Sequence, residues 1–266
     1  MRLTFLGTGA AMPLPTRHQT GLLFEGGAEP LLVDCGAGVL HRLARTRTGY
    51  EGVSTVLLTH HHLDHVSDLL SLLKARWLAG EETLTVAGPE GTADLVEDLL
   101  DAHDYLEDRL DLTLREVDPD AGAFEVAGYR VRARETDHSA HCLAYRLHVA
   151  DHKDAADGER RPPTVTVSGD TEADPGLVAF ADGSALLVHD CSFPDGVEVS
   201  NHPTPTRLAE AIADADADPD LGRLYLTHLY PHADGEEESM AAAVREHADV
   251  DADVRVAEDM HTVSVE

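Results

Sequence analysis

Two β-sheets packed face to face, with helices on their outer sides, form the α/β architecture that this 266-residue sequence predicts. Three observations point to it. Strand-like and helix-like segments are mixed in both halves of the chain. Five times an apolar run adjoins a residue suited to metal or acid–base chemistry: His60, His138 (just before its strand), Asp170, Asp190 and His228. Ligands carried on strand ends converge on one edge of a sheet sandwich. No linker divides the halves, so residues 1–266 are expected to form a single domain.

In order, residues 2–6 read as a strand and Gly7-Thr8-Gly9-Ala10 as a tight turn. That turn lacks the third glycine and the helix context of a dinucleotide fingerprint. A Pro-containing loop leads to paired strands, 20–24 and 30–33, across Glu25-Gly26-Gly27-Ala28. Asp34-Cys35-Gly36-Ala37-Gly38 lets backbone approach closely before a helix at 39–45. The apolar run 53–58 is followed by a His-rich stretch, a helix at 66–78, a strand at 84–86 and a helix at 92–102.

The second half turns mostly to strands, at 112–117, 124–126, 129–133 and 143–149, before an exposed polar loop at 151–161. Strand 165–167 ends in Ser168-Gly169-Asp170-Thr171, and strand 185–188 in His189-Asp190-Cys191-Ser192. After a helix at 205–215, strand 224–226 ends in Thr227-His228-Leu229-Tyr230. A helix at 236–247 and strands at 254–257 and 263–265 close the chain. The acidic run from Asp214 to Asp220 imitates a calcium loop, but Pro219 stands where the loop requires glycine, and it reads as a surface turn.

The chemistry concentrates in Thr59-His60-His61-His62-Leu63-Asp64-His65. Neutral imidazole and carboxylate are the donors a zinc-type ion prefers. Leaving the strand, alternate residues of His60-x-His62 point to one side and could share a metal. Asp64 and His65, at the helix entrance, could reach a second ion. The competing reading is a solvated polar loop, since 17 histidines make some clustering unsurprising.

Composition bounds the rest. Fifty acidic residues against 20 basic ones give a formal charge of −30, spread along the chain, with Lys74 and Lys153 the only lysines. This pattern fits a protein adapted to molar salt, as in a halophile, where the Debye length is about 3 Å and self-repulsion is screened. It argues against a broad basic nucleic-acid footprint, though not against a small cleft that holds a phosphodiester through metals. No apolar run reaches membrane-spanning length and the N-terminus lacks a signal-peptide layout, so a cytoplasmic protein with no membrane partner is expected. Cys35, Cys142 and Cys191 are widely spaced without a Cys-x-x-Cys pair, which suggests buried inert thiols.

At these residues the chain resembles the metallo-β-lactamase fold superfamily, whose signature is His-x-His-x-Asp-His, and within it the ribonuclease Z branch and its phosphodiesterase relatives. Besides residues 60–65, the matching pieces include Phe5-Leu6-Gly7-Thr8-Gly9-Ala10 with Pro15-Thr16-Arg17, and Asp34-Cys35-Gly36-Ala37-Gly38. Gly88-Pro89-Glu90-Gly91, His138 seven residues before Tyr145, Ser168-Gly169-Asp170-Thr171, His202-Pro203-Thr204 and Leu226-Thr227-His228 complete the set in the family's order. The resemblance implies a four-layer αββα sandwich with two Zn²⁺, manganese being the alternative. It implies His60, His62 and His138 on one ion, Asp64, His65 and His228 on the other, and Asp170 bridging. His61 falls in an x position, and the spacing to Tyr145 favours His138 over His141.

The resemblance further implies a proton-donating His202 paired with Asp190, where the family more often carries Glu; the competing role for His202 is helix capping. Asp34 and Thr59 are expected behind the ligands, or simply in a turn. The implied activity is metal-dependent hydrolysis of phosphodiesters in RNA, nucleotides or small molecules, with Asp64 orienting or deprotonating the nucleophile. Narrower or different readings are tRNA 3′-end processing, a lactonase or thioesterase of the same fold, and a non-catalytic metal-binding module. Ribonuclease Z grips tRNA with a long basic arm; after Val149 only residues 151–161 are available for one. Relatives of this type are commonly homodimers, so the resemblance also implies a homodimer.

Overall fold

The computed structural model describes residues 1–106, 108–150, 162–215, 219–248 and 252–266. The expected loop at 151–161 lies outside the described residues, as does part of the acidic turn at 214–220. The first half runs β1 (Arg2–Gly7), β2 (Gly21–Glu25), β3 (Leu31–Val33), α1 (Val39–Leu43), β4 (Thr55–Leu57), α2 (Leu63–Val66), α3 (Leu69–Ala79), β5 (Thr83–Gly88), α4 (Thr92–Asp101) and β6 (Asp111–Glu116). The second runs β7 (Phe124–Val126), β8 (Tyr129–Glu135), β9 (Leu143–Val149), β10 (Val165–Val167), α5 (Pro175–Phe180), β11 (Leu186–Asp190), α6 (Pro205–Ala213), β12 (Arg223–Thr227), α7 (Glu237–Ala248), β13 (Asp253–Val256) and β14 (Thr262–Ser264).

One sheet has the order β14-β1-β2-β3-β4-β5-β6 and the other β13-β12-β11-β10-β9-β8-β7. Strand alternation sorts the side chains into layers. Leu3, Phe5, Leu22, Phe24, Leu186, Val188 and Tyr225 face the space between the sheets. Their neighbours turn the other way: Leu6, Leu23 and Val56 under the first-half helices, Leu187, Leu224 and Leu226 under the second-half ones. Three apolar layers between four layers of backbone are the expected αββα sandwich. No helix among the described residues is long and apolar enough to cross a membrane.

Two local readings need correction. The single helix expected at 66–78 is two, broken at Ser67-Asp68. There the Asp68 amide bonds the carbonyl of Cys35, and its carboxylate accepts from the amides of Gly38 and Leu40 at 2.8 and 2.9 Å. A tertiary contact overrides the helical period. Helix α5 was not expected, although Asp174-Pro175 announces it: Asp174 caps the Gly176 amide at 2.8 Å and proline takes the first turn.

Two further features position the site edge. Gly36 is required because a Cβ there would lie 2.0 Å from the carbonyl oxygen of Asp64. The C-terminal segment locks the N-terminal turn: β14 pairs antiparallel with β1, and Asp259 accepts from the Thr8 amide (3.0 Å), Thr8 Oγ1 (2.8 Å) and the His18 amide (2.8 Å). Beneath α3, the fully buried Arg76 donates to the carbonyls of Tyr50, Glu51 and Thr83, fastening that helix to the sheet edge.

Candidate metal centre

Strands β10, β11 and β12 run parallel, so their C-terminal ends share one edge of the sandwich. Asp170 follows β10, Asp190 ends β11 and His228 follows β12. From the facing sheet, β4 delivers His60, and α2 begins at once to present Asp64 and His65. His138 comes from the β8–β9 connection.

These residues meet around the buried Asp170 carboxylate. Donor atoms of His60, His62, His138 and Asp170 lie within 4.8 Å of one another, as do those of Asp64, His65 and His228. Asp170 touches both groups: its oxygens are 3.7 and 3.9 Å from Nε2 of His60 and His138, and 3.3 Å from Nε2 of both His65 and His228. Asp64 lies 3.1 Å from His228 Nε2. His61 turns away to Thr92 Oγ1 at 2.8 Å, and the exposed His141 is outside both groups.

The hydrogen bonds behind the rings decide what faces inward. His65 Nδ1 donates to Asp34 at 2.8 Å, and Asp34 is itself held by the amide and hydroxyl of Thr59 at 2.7 and 2.8 Å. His138 Nδ1 donates to the Asn201 carbonyl at 3.3 Å. Ser192 gives its one proton to Asp190 at 2.6 Å, leaving its oxygen to accept from His228 Nδ1 at 3.0 Å. With Nδ1 protonated on all three rings, their Nε2 lone pairs point at a carboxylate. His65 and His228 even set Nε2 against Nε2 at 3.4 Å, and the buried Nε2 of His60 has no hydrogen-bond partner among the described residues. Converging lone pairs and carboxylates repel one another unless a cation stands among them.

Electrostatics state the same demand. With only the protein's own charges, burial disfavours a charged His65, yet Asp170 and Asp34 outweigh it and raise its pKa well above the ordinary value. Burial would also raise Asp170, but His228, His65 and His60 hold it well below the carboxylate range. His60 is the opposite case. Burial, reinforced by His65, keeps it neutral, as a ligand must be.

His202 stands at the margin of this centre, with a donor atom within 4.8 Å of those of Asp170 and His228. Its Nδ1 is 2.7 Å from Asp190. Burial opposes the charged ring, but Asp190, through its charge and hydrogen bond, lifts the His202 pKa to about 9, with Asp170 and Asp64 adding to it. His202 precedes helix α6 without capping it; the first-turn amide of Thr206 donates to Asp195 at 3.0 Å. Three residues around the site sit in the left-handed backbone region: Asp34 (φ 60°), Asn201 (φ 68°) and His228 (φ 62°). Such conformations cost about 1–3 kcal/mol each and gather where geometry serves function.

Sequence reasoning missed Ser192 and Asn201, whose parts are played through a hydroxyl and a backbone carbonyl. It also missed Tyr230, half-buried beside the centre with its ring 5.9 Å from that of His228.

A sandwich with this donor set on its strand ends defines a metal-dependent hydrolase of the metallo-β-lactamase fold. Solved structures agree on the fold: YhfI from Bacillus subtilis superposes with a TM-score of 0.77 at 23% identity, covering 99% of each chain. The human short-form tRNase Z does so at 0.76 and 21%, covering 100% of each. A family model described as anti-Pycsar protein Apyc1 matches residues 1–212. Ribonuclease Z of Mycobacterium avium is 33% identical over 100% of this chain and 99% of its own. That of Haloferax volcanii is 30% identical over 86% and 84%. The chain belongs to the ribonuclease Z-like family of metallo-β-lactamase-fold hydrolases.

Proposed function

We propose that the protein is a phosphodiesterase acting on RNA, nucleotides or small phosphodiesters, with two divalent ions, zinc or manganese, at the Asp170 centre. His60, His62 and His138 would hold one ion, Asp64, His65 and His228 the other, and Asp170 both. Bound there, the pair supplies Lewis acidity, lowering the pKa of water and offsetting phosphate charge. Asp64 would orient the attacking water and take its proton. His202, kept protonated by Asp190, gives a proton to the leaving oxygen from Nε2. Asp34, Ser192 and the Asn201 carbonyl keep the donor rings from turning.

The observation that carries this reading is the 2.7 Å His202–Asp190 pair beside the donor cluster. A proton donor next to a nucleophile-generating centre is what expulsion of a poor alkoxide requires. The full-length similarity to Mycobacterium avium ribonuclease Z favours tRNA 3′-end processing as a second reading.

Both are tested together in molar KCl with zinc or manganese, using a 3′-extended precursor tRNA and bis(4-nitrophenyl) phosphate, with Asp64→Ala as control. Trailer removal lost in the variant identifies a tRNA-processing enzyme. Turnover of the small diester alone moves the substrate to nucleotides. No variant-sensitive turnover of either overturns the phosphodiesterase reading.

A further inference from the structure

The chain has only 12 aromatic residues (five Phe, six Tyr and one Trp), and two of them stand together beside the centre. Phe193 and Tyr230 stack with centroids 4.6 Å apart and planes 18° from parallel. The Tyr230 ring lies 5.8 Å from His202 and 5.9 Å from His228, about one side chain's width from the groups assigned to the reaction. Phe193 is buried, whereas Tyr230 is half-buried. With Phe193 stacked on one face, Tyr230 still keeps part of its surface exposed.

This ring is held in place. The Tyr230 amide donates to the Ser192 carbonyl at 3.1 Å, and its own carbonyl accepts from Ala233 at 2.9 Å. Leu229 is tied to the N-terminal turn through Thr8 and Ala10 at 2.9 and 3.1 Å. The hydroxyl makes no hydrogen bond with any described residue. A rigid aromatic side chain, backed by Phe193 and partly exposed beside a phosphate-type centre, suits a planar group attached to the reacting phosphate.

We propose that Tyr230, backed by Phe193, is a nucleobase-stacking subsite, so that the substrate is a nucleotide diester whose base lies against this ring. The inference rests on the phosphodiesterase reading and narrows it. Stacking on an aromatic ring tolerates every base, so the subsite selects nucleosides without reading sequence. A wall that merely kept water out would serve all diesters alike.

The test is the ratio of kcat/KM for thymidine 5′-(4-nitrophenyl phosphate) to that for methyl 4-nitrophenyl phosphate, which share a leaving group and differ in the nucleoside. It is measured with the metal-loaded protein in molar KCl, as wild type, Tyr230→Leu and Tyr230→Phe. The ratio is expected to fall about tenfold in the leucine variant, through KM, and to hold in the phenylalanine variant. Calorimetric binding of thymidine 5′-phosphate should weaken by the same factor in leucine only. An unchanged ratio, whether both esters lose together or neither does, overturns the subsite. If the wild type turns over neither ester, the calorimetric comparison decides the subsite, and a precursor tRNA left uncut as well overturns the underlying reading.

Discussion

Asp190 accepts a 2.7 Å hydrogen bond from His202 while its other oxygen accepts from Ser192 at 2.6 Å. One carboxylate thus serves two imidazoles, holding a proton on His202 directly and orienting His228 through Ser192. In the metal-free protein, His202 is expected to titrate near 9, read from its ring resonances by NMR. Asp190→Asn should bring the midpoint down toward the ordinary histidine value, about 6.5. The folded-state pKa is above the unfolded one, so the pair's stabilisation is complete below about pH 6.5 and is lost as pH rises through about 9. A midpoint unmoved by Asp190→Asn would count against the pair.

Asp34→Asn tests the support behind the donors. The variant keeps the shape but loses the charge that holds the His65 Nδ1 proton at 2.8 Å. Metal affinity, measured by competition with a chromogenic chelator, is expected to fall about 10–100-fold. An affinity within twofold of wild type would show that His65 is positioned without it.

Chelation should destabilise the fold, because the centre ties β4 and α2 of one sheet to β10 and β12 of the other. Zinc at a hundredfold its Kd adds about 2.7 kcal/mol, roughly 5–10 °C in Tm for a chain of this size. Thermal unfolding with EDTA, then with zinc restored, should show the drop and its reversal.

Arg76→Leu removes a buried cation and leaves the carbonyls of Tyr50, Glu51 and Thr83 without their donor. Arg76 is buried but the three carbonyls belong to exposed or half-buried residues that water can partly reach, so a loss of about 1–3 kcal/mol is expected from urea unfolding in molar KCl. A loss below about 1 kcal/mol would mean that water replaces the guanidinium.

Much of the fold is legible in the sequence because period-two alternation carries its own direction: Leu22-Leu23-Phe24 already says which side chains share a face. The donor cluster is legible for a related reason, since His60, Asp170, Asp190 and His228 each terminate an apolar run. What escapes lies in contacts between distant segments. Nothing local says that Asp68 will leave its helix for the amides of Gly38 and Leu40. Nor does Ser192 announce that it will meet His228, 36 residues on. Helix α5 is different, because the Asp174-Pro175 start was present and its shortness hid it.

The clasp of Asp259 on Thr8, with β14 closing over β1, bears on how the protein is made. A nascent chain translated only as far as residue 250 already carries every residue assigned to the centre, yet β1 still lacks the outer neighbour that finishes its sheet. Loops spanning some 250 residues close late and slowly. The catalytic groups are thus made before their scaffold is complete, and β1 gains its outer neighbour only when β14 has been made.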